Sequence, residues 1–225
     1  MATLTLVVGN KRYSSWSLRP WLAMRQAGIA FEEVVIPLYE AESKAALLAH
    51  SPAGKVPVLR HGERVVWDSL AIIEYLAETF LAAGLWPQDA AARALARSIS
   101  AEMHAGFAAL RRGMPMDLRE YLPGQGRSDV VAADVERVTA IWRDCRARFG
   151  AGGSLLFGAF SAADAMYAPV AARFRTYGVA LDPVCQAYAD AVLALPAFVE
   201  WQRAARQEPW VITRYANPAP AASDA

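Results

Sequence analysis

The sequence predicts a layered α/β unit over residues 1–83, a linker at 84–89, an all-α helical bundle over 90–215 and a frayed tail at 216–225. Three observations carry this reading. Apolar runs of strand length alternate with helically spaced apolar residues up to residue 80. After residue 90 only the helical spacing persists. Between them lies a short segment holding Gly84 and Pro87, with no periodicity of its own.

The elements follow in order. Leu4-Thr5-Leu6-Val7-Val8 is apolar but for Thr5 and reads as a buried strand. A polar stretch at 9–17 leads into a helical pattern over 18–27, and Gly28 is placed to end it. Residues 31–36 form a second β-like run, and 41–48 a short helix broken by Ser51-Pro52-Ala53-Gly54. Residues 56–60 and 64–67 are two strands joined by His61-Gly62-Glu63, a hairpin signal. Leu70, Ile73, Leu76, Ala77 and Phe80 then mark a helix face with Ser69 as its N-cap. Strands with crossover helices, then a hairpin and a helix, fit a small layered α/β sheet. In the second part, Leu95, Ile99, Met103, Phe107 and Leu110 line one long helix. Val135 to Phe149 line another, and Met166, Val170, Phe174 and Tyr177 a third. Residues 184–195 and 198–205 complete the bundle, with turns at Met114-Pro115 and 123–126.

Composition narrows the function. Lys and Arg number 23 and Asp and Glu 22, and this balance argues against a nucleic-acid partner. A hydrophobic content of 55% with seven Trp is that of a chain with a packed core. The longest apolar stretch, 70–86, is interrupted by Glu74 and Glu78, so no membrane span is expected. The start lacks the pattern of a signal peptide, and a cytoplasmic location is the expectation. Cys145 and Cys185 are the only cysteines, without a CxxC, and are expected to be free buried thiols. His50, His61 and His104 suggest no metal-ligand spacing, so no metal is expected.

Three places could carry chemistry. Ser14 and Ser15 lie between the first strand and the first helix, where free N–H groups and the helix dipole favour an anion or a thiolate. With no cysteine nearby, such a thiol would belong to a ligand. Val56-Pro57 opens the third strand; a cis bond there would offer the Val56 backbone to an extended peptide. Asp68 and Ser69 start the third helix, where a hydroxyl and N–H groups suit a carboxylate and Asp68 suits an ammonium. Taken singly, each is also an ordinary cap or turn.

Their order, with Gly158-Ala159-Phe160-Ser161-Ala162-Ala163-Asp164 further on, resembles the cytosolic glutathione S-transferase superfamily from about Leu4 to about Tyr215. Within it the chain resembles serine-type members, and most nearly the zeta- and theta-like bacterial ones. Ser14-Ser15-Trp16-Ser17-Leu18-Arg19 is similar to the zeta serine motif, with Trp16 where Cys is usual. Lys55-Val56-Pro57-Val58-Leu59 is similar to the Val-cisPro element. Asp68-Ser69-Leu70-Ala71-Ile72-Ile73 is similar to the Glu/Gln-Ser-x-Ala-Ile helix, with the shorter Asp.

The resemblance implies a thioredoxin-like first domain that binds glutathione as co-substrate. Ser14 would donate to its sulfur on the zeta alignment, Ser15 on the theta one; Ser14 is preferred. Val56 and Pro57 would hold the cysteinyl unit, Asp68 and Ser69 the γ-glutamyl end, and Lys44 or Lys55 the glycyl carboxylate. His104, Phe107 and Arg111 would border the electrophile pocket. Ser161 and Asp164 fit a capping box and are assigned to folding. The expected activity is thiolate attack on a small apolar electrophile by a homodimer engaged in detoxification. The alternatives are a non-catalytic glutathione- or protein-binding relative, or a glutathione-dependent isomerase or peroxidase.

Overall fold

A computed structural model describes residues 3–213. The expected end of the bundle at Tyr215 and the tail at 216–225 lie outside the described residues. Four strands form one mixed sheet in the order β2-β1-β3-β4. β1 (Leu4–Val8) runs parallel to β2 (Glu32–Val35) and antiparallel to β3 (Val58–His61), with Leu6 opposite Leu59. β4 (Arg64–Trp67) closes the hairpin. The buried β1 run therefore forms a centre of the sheet, covered on both faces.

Helix α1 (Ser15–Gln26) is the joint of the molecule. It packs on β1 and on α3 (Ser69–Thr79), and also on α7 (Ala162–Thr176) and α9 (Pro196–Gln207) of the helical half. α7 is buried almost throughout because its Ala-rich surface lets neighbours approach on every side. Ser161 and Asp164 form the capping box that starts it. Asp164 is wholly buried, which raises its carboxyl pKa to about 6 against the N–H donors of Leu156 and Ser161. The remaining helices are α2 (Ser43–His50), α4 (Ala90–Ala105), α5 (Ala108–Gly113), α6 (Asp129–Phe149) and α8 (Pro183–Leu193).

Three local readings change. α1 begins at Ser15 rather than residue 18, because Ser14 caps it by accepting from the Ser17 N–H. The cap of α3 is Asp68, not Ser69, which is already helical. The long helix expected through Leu95 and Leu110 is broken at Gly106 and Phe107, the latter at φ +58°. A Cβ on Gly106 would lie 2.8 Å from the Glu102 carbonyl oxygen, so only glycine fits that exit. The chain re-enters a helix at once, and the apolar spacing continues across the break.

Candidate active site

The C-terminal end of β1 leads into a tight turn. The Asn10 carbonyl accepts from the N–H groups of Tyr13 (3.1 Å) and Ser14 (2.8 Å), which delivers Ser14 to the N-terminus of α1. Ser14 Oγ lies 2.8 Å from Ser17 Oγ, and Ser17 Oγ accepts from the Gly9 N–H at 3.0 Å. The Ser14 hydroxyl donates to Ser17 Oγ, and as a free rotor it can turn that proton towards a ligand while Ser17 donates back to it. Ser15 Oγ accepts from Arg173 Nη2 at 3.2 Å.

Both serines line a cavity of about 590 Å³ together with Lys44, Lys55, Val56 and Arg111. A second cavity, of about 710 Å³, is lined by Pro57, Asp68 and Ser69. Trp16, Lys55 and Val56 line both, so the two are neighbouring parts of one cleft. The Val56-Pro57 bond is cis. Asp68 sits at φ +77° and ψ 135°, a conformation that costs a side-chain-bearing residue of order 1–3 kcal/mol. Its Oδ1 accepts from the N–H groups of Leu70 (2.9 Å) and Ala71 (3.2 Å). The Ser69 hydroxyl is buried without a partner among the described residues, a polar group on the cleft wall that a ligand could satisfy.

His104 and Phe107 line neither cavity. His104 lies edge-on to Trp16 at 5.3 Å and places Nε2 3.2 Å from Asp68 Oδ2. Phe107 is buried at the helix break. Arg111 reaches the cavity and also donates to the carbonyls of Met103 (3.2 Å) and His104 (3.3 Å), groups left open where α4 ends.

Sequence reasoning missed Arg173 and the place of Arg19. Arg173 interrupts the small apolar run of α7, a charged residue on a buried helix, and that was its signal. It also donates to the carbonyls of Met114 and Arg111. Arg19 is 1% exposed, and its guanidinium lies 4.4 Å from the Trp16 ring. Nε and Nη1 have no partner among the described residues. Burial, and then repulsion by Arg111 and Arg173, lowers its pKa to about 9. Arg111 and Arg173 line the cleft, and Arg19 lies buried near enough to feel both charges. Among the described residues no group of three or more His, Cys, Asp or Glu is placed to hold a metal ion.

Two family models match this chain: the glutathione S-transferase N-terminal domain at residues 13–79 and the glutathione S-transferase C-terminal domain at 128–203. The chain belongs to the glutathione S-transferase family. Among curated relatives of this family, it is 39% identical over 93 residues to a probable maleylacetoacetate isomerase of Caenorhabditis elegans, covering 41% of this chain and 42% of that one. It is 43% identical over 83 residues to glutathione S-transferase 1 of Dianthus caryophyllus, covering 36% and 38%. The chain thus matches about two fifths of the length of these curated relatives. The fold as a whole is that of a Burkholderia glutathione transferase homolog solved with bound glutathione, at a TM-score of 0.69 and 22% identity, covering 91% of this chain and 98% of that one. Among the described residues no helix is long and apolar enough to cross a membrane.

Proposed function

We propose that this chain is a glutathione transferase in which Ser14 stabilises the glutathione thiolate for attack on a small electrophile. The observation that carries the reading is the Ser14 hydroxyl at the N-terminus of α1, on the wall of a cleft whose far part holds the unpartnered Ser69 hydroxyl. Glutathione would lie along that cleft. Its γ-glutamyl end would sit at Asp68 and Ser69, its cysteinyl unit at Val56-Pro57, and its glycyl carboxylate at Lys44 or Lys55. Helix N-termini with hydrogen-bond donors lower a thiol pKa from ~8.5 to about 3.5–7.5, and the three arginines act in the same direction. Ser15, already bound to Arg173, serves to hold α1 against α7.

The division into a glutathione-binding unit at 1–83, a linker at 84–89 and a helical unit from 90 onward belongs to the same proposal. So do homodimeric assembly, a cytoplasmic location and a role in detoxification, all of which rest on family membership alone. The test is calorimetric titration with glutathione followed by an ultraviolet pH titration of the bound thiolate. Binding with a thiol pKa well below that of free glutathione is expected; no binding at millimolar glutathione overturns the reading in favour of a non-catalytic relative.

A second reading concerns the electrophile. Arg111 and Arg173 both line the same cavity as Ser14 and Ser15, which favours a substrate carrying an anionic group over a purely apolar one. The relative from Caenorhabditis elegans, named as an isomerase, points to glutathione-dependent isomerisation as the alternative chemistry. Matched anionic and neutral electrophiles, compared on Arg111→Met, separate the two: selective loss with the anionic one supports the second reading.

A further inference from the structure

Glu208, just past α9, spans two successive peptide groups of the turn that delivers Ser14. Its Oε1 accepts from the Lys11 N–H at 2.6 Å and its Oε2 from the Arg12 N–H at 3.0 Å. The carbonyls of the same two residues are also met from the helical half. Trp201 Nε1 donates to the Lys11 carbonyl at 2.9 Å, and the Leu118 N–H donates to the Arg12 carbonyl at 3.3 Å. Buried backbone polar groups need partners, and here four of them find theirs far later in the chain. The side-chain charges of the turn are engaged elsewhere. Lys11 Nζ pairs with Glu33 at 2.6 Å, and the Arg12 guanidinium binds Asp117 through two bonds of 2.7 Å. Glu208 is steadied in turn by Arg119, which donates to its carbonyl oxygen and to that of Ala205.

The turn is short, so a shift at Lys11 and Arg12 passes straight to Ser14 through the bonds to the Asn10 carbonyl. We propose that Glu208 is a positioning residue for the Ser14 hydroxyl: its carboxylate fixes the turn so that this hydroxyl faces the ligand sulfur. The inference rests on the thiolate-activation reading above.

The test compares the full-length protein with Glu208→Gln and Glu208→Asp. Gln keeps the volume but turns an amide NH2 towards one of the two peptide N–H groups. In Glu208→Gln, glutathione affinity is expected to stay within about threefold while the bound thiol pKa rises by about one unit, so that turnover below both pKa values falls about tenfold. Turnover recovers at pH above both values. Glu208→Asp retains the charge and is expected to restore part of the shift. Amide exchange at residues 9–17 of the ligand-free protein is expected to quicken in Glu208→Gln, with α6 unchanged. A lowered Tm with an unmoved thiol pKa and pH–rate profile would make Glu208 a fold-stabilising residue and overturn the proposal. Unchanged exchange at residues 9–17 overturns it too, and reads the clamp without ligand. Failure of the wild type to bind glutathione is a separate result that overturns the thiolate reading itself.

Discussion

His104 Nε2 lies 3.2 Å from Asp68 Oδ2, so a residue from the end of α4 occupies one oxygen of the carboxylate proposed to bind the ligand ammonium. The other oxygen is committed to capping α3. The two duties of Asp68 can therefore be separated.

Asp68→Asn retains an oxygen for the cap and removes the charge. Glutathione affinity is expected to fall about tenfold or more, as for loss of a charge-assisted bond worth about 1.5–3 kcal/mol, with Tm nearly unchanged. His104→Ala removes a competitor and is expected to leave affinity equal or slightly higher. Calorimetry reads both; wild-type affinity in Asp68→Asn would take Asp68 out of the ammonium site.

The two serines divide in the same way. Ser14→Ala loses the α1 cap, about 1 kcal/mol of stability, and loses the donor to sulfur, which is expected to reduce kcat roughly a hundredfold or more. Ser15→Ala loses only a bond to Arg173 and is expected to keep a low thiol pKa. Ultraviolet titration of the bound thiolate decides between them, and the reverse pattern would transfer the role to Ser15.

Arg19 is expected to cost stability. Its guanidinium is buried with Nε and Nη1 unpartnered and two like charges nearby. Arg19→Met, of similar volume, is expected to raise stability at neutral pH by about 1 kcal/mol or more while raising the pKa of the bound thiol. The folded protein holds the Arg19 proton more weakly than the unfolded chain does. The penalty is therefore complete below about pH 9 and relieved above it, and the gap between variant and wild type narrows there. Thermal unfolding across pH tests this; a destabilised variant at neutral pH would show that Arg19 supports the fold.

Cys145 and Cys185 are free and buried, and burial pushes both thiols up to about 12. Relative to a pKa of 9.0, three units leave about a thousandfold less thiolate at neutral pH. Neither thiol is expected to react with a thiol-specific reagent in the native protein, and both react on unfolding. Native-state labelling of either would show that it opens to solvent.

Much of this molecule was legible in the order of its residues. β1 and β4 stand at the boundaries expected from their apolar runs, because each is bounded by turn residues with no competing pattern. The break at Gly106 was hidden because Met103, Phe107 and Leu110 keep helical spacing across it. Along the cleft, Ser14 was visible as a cap and Val56 by the proline that follows it, both local features, whereas the cap of α3 passed from the expected Ser69 to Asp68. Arg173 and Glu208 were not visible, since their partners lie far away in sequence and no local pattern records such a meeting. The pairing of His104 with Asp68 was not visible either, since the two lie 36 residues apart in sequence.

The turn at Lys11 and Arg12 bears on how freely the two halves can be exchanged. A hybrid joining the first 83 residues of this chain to the helical half of a relative would carry four backbone polar groups shaped for Glu208, Trp201 and Leu118. Unless the new half supplied equivalent partners, the borrowed serine would arrive without its mooring. The hydroxyl proposed to meet the sulfur is encoded in one half, but its placement is inherited from both.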